Sequence, residues 1–372
     1  MPTGLVREQE SREKQKICVF AGFLTGIVYI AAKFLSLGPY QVTIVTPKKL
    51  SYKNTDHENT LQFLLQDSSL ELMEPGQLDR NSSFSALFLL WPHAHTYNQS
   101  ELADLKERIR NCGKVIALYH RTHKTRLRHI KRQVKELAIA AQVITRFDVI
   151  LHEEVPLNSG IYSLWVKSNF VGAGPHAQFL SNPELQAAMF SDWEINRQRL
   201  FKLNFLGTRA PDRRAAILGQ IEQFYKVRAD INLTSVGDSV DDSKSNVLWI
   251  ADTNSSKRVR IATEYLGMLE DSDFSLAPAG YTRWTNRPYE ALTRGSIPII
   301  DNDESRCFCL NFRDGENCLL VKNKDWISAV QRALAMPPDA VQRMRTNIKA
   351  MTGSQLTFAA LSKRLRARAG LE

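Results

Sequence analysis

The chain has 372 residues, of which 43% are hydrophobic and 24% charged, and its net charge is +10. That is room for two ordinary domains or one large one, and the balance excludes a disordered chain. The basic excess is local: residues 106–146 hold twelve Lys/Arg against Glu107 and Glu136, and twelve minus two is the whole +10.

Residues 17–32 are apolar without a charge, and the run reaches Leu37 if Lys33 is allowed. A run of that length can cross a bilayer as a helix, with Lys33 snorkelling at its far end. Arg7, Arg12, Lys14 and Lys16 precede it, which holds residues 1–16 on the cytoplasmic side. The expectation is a single-pass, type II signal-anchor over residues 17–37, with the body in the lumen of the Golgi or endoplasmic reticulum. For a bacterial chain the inner membrane takes that place. A cleaved signal peptide and a buried core helix compete with this reading.

Sequons at Asn81, Asn98, Asn232 and Asn254 suit a lumenal glycoprotein. With Cys18 in the span, Cys112, Cys307, Cys309 and Cys318 remain for two disulfides. The Cys-Phe-Cys spacing with Cys318 also resembles three metal ligands, but no His lies near in sequence to complete zinc.

Residues 38–83 read as a polar stem with a short helix near residues 61–66. From residue 84 the pattern alternates: strand 84–91, helix 100–110, strand 114–119, helix 125–142 and strand 143–151. Helix 125–142 carries most of the basic stripe. Its plain reading is a solvated outer face, although an anionic acceptor, lipid headgroups or nucleic acid would also suit it. No zinc finger, RNA-recognition signature or aromatic-interleaved basic motif supports a nucleic-acid partner.

A Gly/Pro-rich passage at 171–175 and a helical stretch at 183–200 lead to a second set of elements. These are strand 202–206, helix 212–225, strand 229–236, helix 259–269, strand 274–277, helix 288–293 and strand 297–301. Helices at 324–335, 338–351 and 355–369 follow. The alternation predicts an α/β protein with two doubly wound halves, residues 84–200 and 201–372, on a membrane stem.

Residues 272–301 concentrate the chemistry. A Pro/Gly loop delivers Arg283 and Arg287 to a helix start, and Glu290 sits one turn in. Arg287 precedes Pro288, so it belongs at the helix boundary with the proline at the first helical position. Free N–H groups and arginines at such an end suit a diphosphate. A carboxylate beside them can accept hydrogen bonds from ribose hydroxyls. Taken singly, Glu290 also suits the helix dipole and Arg287 a surface cap.

Phe274-Ser-Leu-Ala-Pro-Ala-Gly-Tyr, Arg287-Pro-Tyr-Glu-Ala-Leu and Gly295-Ser-Ile-Pro-Ile-Ile resemble the signature of exostosin-like glycosyltransferases. Upstream, Phe205-Leu-Gly-Thr-Arg with Arg213 and Arg214 is similar to that family's Phe-x-Gly segment and following arginine. The resemblance covers roughly residues 205–303. It implies a GT-B fold, two Rossmann-like domains facing across a cleft, and inverting transfer from a nucleotide-activated sugar to a glycan or glycoconjugate hydroxyl. It also implies a donor site at Gly207, Arg209, Arg213, Arg214, Pro278, Gly280, Arg283, Arg287 and Glu290, with UDP-sugar the expected donor and no cofactor required.

Inversion needs a base on the acceptor side. The candidates are His93, His95 and Asp148, with His120, Glu153 and Glu154 also at or beyond predicted strand ends. Asp271–Asp273 and Asp301–Asp303 are Asp-x-Asp pairs of the kind that hold Mn²⁺ in a metal-dependent GT-A enzyme. The first precedes its strand, which is the wrong end for a metal. A fucosyltransferase would carry Tyr-x-x-Glu-Lys, a sulfotransferase a Gly-rich phosphate loop, and a non-catalytic glycan binder would lack nucleotide affinity.

Overall fold

The structure is a computed structural model. It describes residues 14–47, 50, 54–79, 82–91, 99–119, 146–152, 167–170, 174–235, 237–252, 262–280 and 285–372. The first sheet is seven-stranded, from β1 (Gln15–Phe20), β2 (Tyr40–Val45), β3 (Glu71–Met73), β4 (Ala86–Trp91), β5 (Lys114–Tyr119), β6 (Val149–His152) and β7 (Lys167–Phe170). Its order is β3-β2-β1-β4-β5-β6-β7, and every ladder is parallel.

A second, six-stranded sheet comes from β8 (Phe201–Thr208), β9 (Ile231–Thr234), β10 (Ser245–Asp252), β11 (Ser272–Leu276), β12 (Ile297–Asp301) and β13 (Leu319–Val321). It runs β13-β12-β11-β8-β10-β9, again all parallel. The chain order reverses between β1 and β4 in the first sheet and between β8 and β11 in the second. In open parallel sheets such reversals open the crevice where ligands bind, at the carboxyl ends of the strands.

The segment expected to cross a membrane is instead the centre of the first sheet. Ile17 to Phe20 lie in β1, paired with β2 on one side and β4 on the other. After a turn, residues 26–36 form the helix Gly26–Ser36, which packs on the same sheet. Ile17 and Val19 join one apolar cluster with this helix. Cys18 and Phe20 join another beneath the helix Gln99–Asn111. A central parallel strand covered on both faces is apolar at every position, which gives it the hydropathy of a membrane span. Lys33 does not snorkel. Its ammonium pairs with Asp67 at 2.9 Å, beside the Tyr29 hydroxyl bound to the same carboxylate at 2.8 Å. Burial pushes Asp67 upward, but bonds from Ser69, Lys33 and Tyr29 outweigh it and hold the carboxyl below its usual range. Among the described residues no helix is long and apolar enough to cross a membrane.

Residues 38–83, expected as a stem, supply β2, the helix Thr55–Gln66 and β3. The last helix, Phe358–Ala369, was expected within the second half and packs on the first. Tyr40 there donates to the Leu371 carbonyl at 3.0 Å. All five cysteines are free thiols, with Cys112 in the first domain and Cys307, Cys309 and Cys318 in the second. Of the sequons, Asn232 lies in β9, where its amide nitrogen donates to Asn246 at 2.8 Å. Asn81, Asn98, Asn254 and all of residues 125–142, expected as the helix with most of the basic stripe, lie outside the described residues.

Candidate nucleotide-sugar site

The β8/β11 reversal gathers most of the donor-site residues expected from sequence. β8 ends in Gly207 and Thr208, and β11 runs out through Leu276 into Pro278 and Gly280. Arg214, buried in the first turn of the helix Asp212–Lys226, bridges the two. Its Nε donates to the Pro278 carbonyl at 3.1 Å and its Nη1 to the Thr208 carbonyl at 3.4 Å. Arg213, one residue earlier, is exposed.

Arg287 opens the helix Arg287–Thr293 and lies buried, with Nη1 donating to the Leu276 carbonyl at 3.2 Å. Its guanidinium sits 4.7 Å from the Phe205 ring centroid, a cation–π distance. Glycine leaves room for these approaches. A Cβ on Gly207 would lie 2.5 Å from Arg287 Nη2, and one on Gly280 would lie 2.8 Å from Arg214 Nη2. The Phe-x-Gly motif is thus a seat for a guanidinium: the ring stacks beneath it and the glycine makes room.

Glu290 lies one turn into the same helix, 6% exposed, and its Oε2 accepts from the Tyr265 hydroxyl at 2.6 Å. Tyr265 comes from the helix Ala262–Glu270. Asn286, just ahead of Arg287, donates to the Gly174 carbonyl at 2.8 Å and ties this loop to the segment leaving the first domain.

Some expected residues serve other ends. Arg209 pairs with Glu222, which also accepts from Trp249 Nε1 at 2.7 Å. Asp148 precedes β6 at the amino edge of its sheet, where it accepts from the Val115 N–H at 2.7 Å and pairs with Arg146 at 3.0 Å. That is the opposite edge from a ligand crevice, and it removes Asp148 as a base. His93, His95, His120, Glu153, Glu154 and Arg283 lie outside the described residues.

The acidic triplets also find structural partners. Asp271 pairs with Arg197 at 2.5 Å, Asp273 pairs with Arg345 and with Lys202 at 3.4 Å, and Asp301 caps the Asp303 N–H at 2.9 Å. Among the described residues no group of three His, Cys, Asp or Glu is placed to hold a metal ion.

Sequence reasoning missed Tyr265 and Glu304. Glu304 is 1% exposed, with Oε1 accepting from the Thr285 N–H at 2.9 Å and Oε2 unpartnered. Its position three residues beyond an apolar strand was the available signal. Burial pushes this carboxyl well above its usual range, against the Thr285 bond and the charges of Arg214 and Arg213, with Asp301 reinforcing the rise. A carboxyl raised on folding contributes stability that is full below its unfolded value, about 4.3, and declines as pH climbs toward the folded value. Glu304→Gln is therefore expected to flatten the fall in melting temperature as pH rises above about 4.3. An unchanged slope would show that the group is not the one titrating.

Solved structures with this architecture share little sequence with the chain. TarM from S. aureus, solved with Fondaparinux, alpha-GlcNAc-glycerol and UDP, superposes with a TM-score of 0.57 at 8% identity, covering 95% of this chain and 99% of that one. Anabaena HepE, solved with UDP and glucose, gives 0.53 at 10% identity over 96% and 100%. Sucrose-phosphate synthase from Thermosynechococcus elongatus gives 0.50 at 13% identity over 95% and 98%. No curated protein sequence matches the chain. With these structures the chain shares the GT-B fold, two parallel doubly wound domains. Residues 184–327 match the model of the RXYLT1 C-terminal domain.

Proposed function

We propose that the protein transfers a sugar from a nucleotide-sugar, UDP-sugar in the first instance, to a glycan or glycoconjugate hydroxyl with inversion. The observation that carries this is the placement of Arg214, Arg287 and Glu290 around one strand-end crevice. The acceptor oxygen bonds to the anomeric carbon as the carbon–phosphate oxygen bond breaks, and UDP leaves with the negative charge. Arg287 and Arg214, fixed before the donor arrives, stabilise that developing charge. Glu290 takes the ribose hydroxyls. The acceptor proton goes to a base from the first domain, for which His93 and His95, next in sequence after β4, are the candidates.

Titration with UDP tests the binding half. At 100 times Kd, UDP is expected to stabilise the protein by about 2.7 kcal/mol, read as a rise in melting temperature. Glu290→Ala is expected to weaken UDP binding about tenfold or more with the fold intact. UDP release from a panel of UDP-sugars tests the reaction. No release and no UDP-induced shift would overturn the reading.

A further inference from the structure

Arg287 and Glu290 carry opposite charges three residues apart on one short helix, yet among the described residues no ion pair joins them. The Tyr265 hydroxyl stands between their roles. It donates to Glu290 Oε2 at 2.6 Å, and the Arg287 guanidinium interacts with the same hydroxyl. No described residue donates a hydrogen bond to Glu290 Oε1.

We infer that Tyr265 is a positioning residue that reads the donor's ribose through Glu290. It fixes one carboxylate oxygen, turns the other toward the pocket and keeps the acid from collapsing onto Arg287. This rests on the reading of Glu290 as the ribose-binding carboxylate. The chemistry fits the distances. A carboxylate free to rotate samples many orientations, and a phenol at 2.6 Å locks its plane. Burial first, and then the Glu290 charge, push the Tyr265 hydroxyl well above its usual range, so it stays a donor at any working pH. A carboxylate presented with one open oxygen suits a vicinal diol, and a sugar lacking both hydroxyls leaves that oxygen unpaired.

The test compares UDP with 2′,3′-dideoxy-UDP on the full chain. The unaltered protein is expected to prefer UDP by about tenfold or more, since a site built to bond a hydroxyl rejects its absence. Tyr265→Phe is expected to bring that ratio toward one and to raise KM for the UDP-sugar more than it lowers kcat, with little change in melting temperature. Tyr265→Gln, which keeps a donor on a shorter reach, is expected to fall between the two. A ratio unchanged in Tyr265→Phe, while Glu290→Ala loses UDP affinity, overturns this inference and leaves the donor site standing. No UDP binding by the unaltered protein, or full affinity in Glu290→Ala, overturns the donor reading and this inference with it.

Discussion

Deleting residues 14–37 is expected to abolish folding, giving insoluble protein or a chain without a cooperative melting transition. This is the truncation a membrane-anchor reading recommends for making a soluble catalytic domain. Ile17, Val19, Phe20, Leu24, Val28 and Leu35 are each 0% exposed in the first domain. Burying each such side chain is worth about 1.5–3 kcal/mol, so their sum rivals the roughly 5–15 kcal/mol that stabilises a whole domain. The deletion also removes the strand at which the sheet's order reverses and leaves β2 and β4 unpaired on their inner edges. A soluble, cooperatively melting protein after this deletion would mean that β1 is dispensable and the assignment is wrong. Ile17→Asp probes the same point with one residue, because an unpaired charge at a fully buried site is intolerable in a core yet leaves a detached span separable from the fold.

Arg287→Ala is expected to lower kcat/KM for the donor about 10²–10³-fold, the usual cost of removing a preorganised group from developing charge. Arg287→Lys restores little, since a point charge cannot both stack on Phe205 and donate to the Leu276 carbonyl. Gly207→Ala offers an independent route to the same defect. Its new methyl would lie 2.5 Å from Arg287 Nη2, so the guanidinium must shift. The two variants are expected to be non-additive, because the second change removes a group that the first has already displaced. Steady-state kinetics on both singles and the double variant check this, with melting temperatures to confirm folding. Additive losses would show that Gly207 acts on something other than Arg287.

How much of this was legible beforehand depended mainly on whether the signal was local. The strands 114–119 and 297–301 were placed at their observed bounds, because each is a short apolar run between turn signals. The helix 338–351 was equally plain, with Pro338 at its start and apolar residues at helical spacing. β10, from Ser245 to Asp252, was missed, and so were β2 and β3 inside the supposed stem. β10 and β2 hold short apolar, β-branched runs, Val247 to Ala251 and Val42 to Val45, so their signal was local and was overlooked, whereas β3 is three residues long and is defined by its pairing with β2. At the site, Gly207, Arg214, Pro278, Gly280, Arg287 and Glu290 were legible as an ordered set of residue types. Arg209 looked equivalent to Arg214, and only its pairing with Glu222 separates them.

By itself the sequence determined the alternating α/β architecture, the exostosin-like motif order and the residue types proposed for a diphosphate-and-ribose site. Spacing and composition carry these, because capping, turn chemistry and hydrophobic period act between near neighbours. The tertiary structure decided what residues 17–37 are, which arginines face the crevice, that Asp148 lies at the wrong edge and that Tyr265 stands beside Glu290. An apolar run has one hydropathy whether lipid or two layers of helix surround it, and a side chain's partner is set by which strands the fold lays side by side.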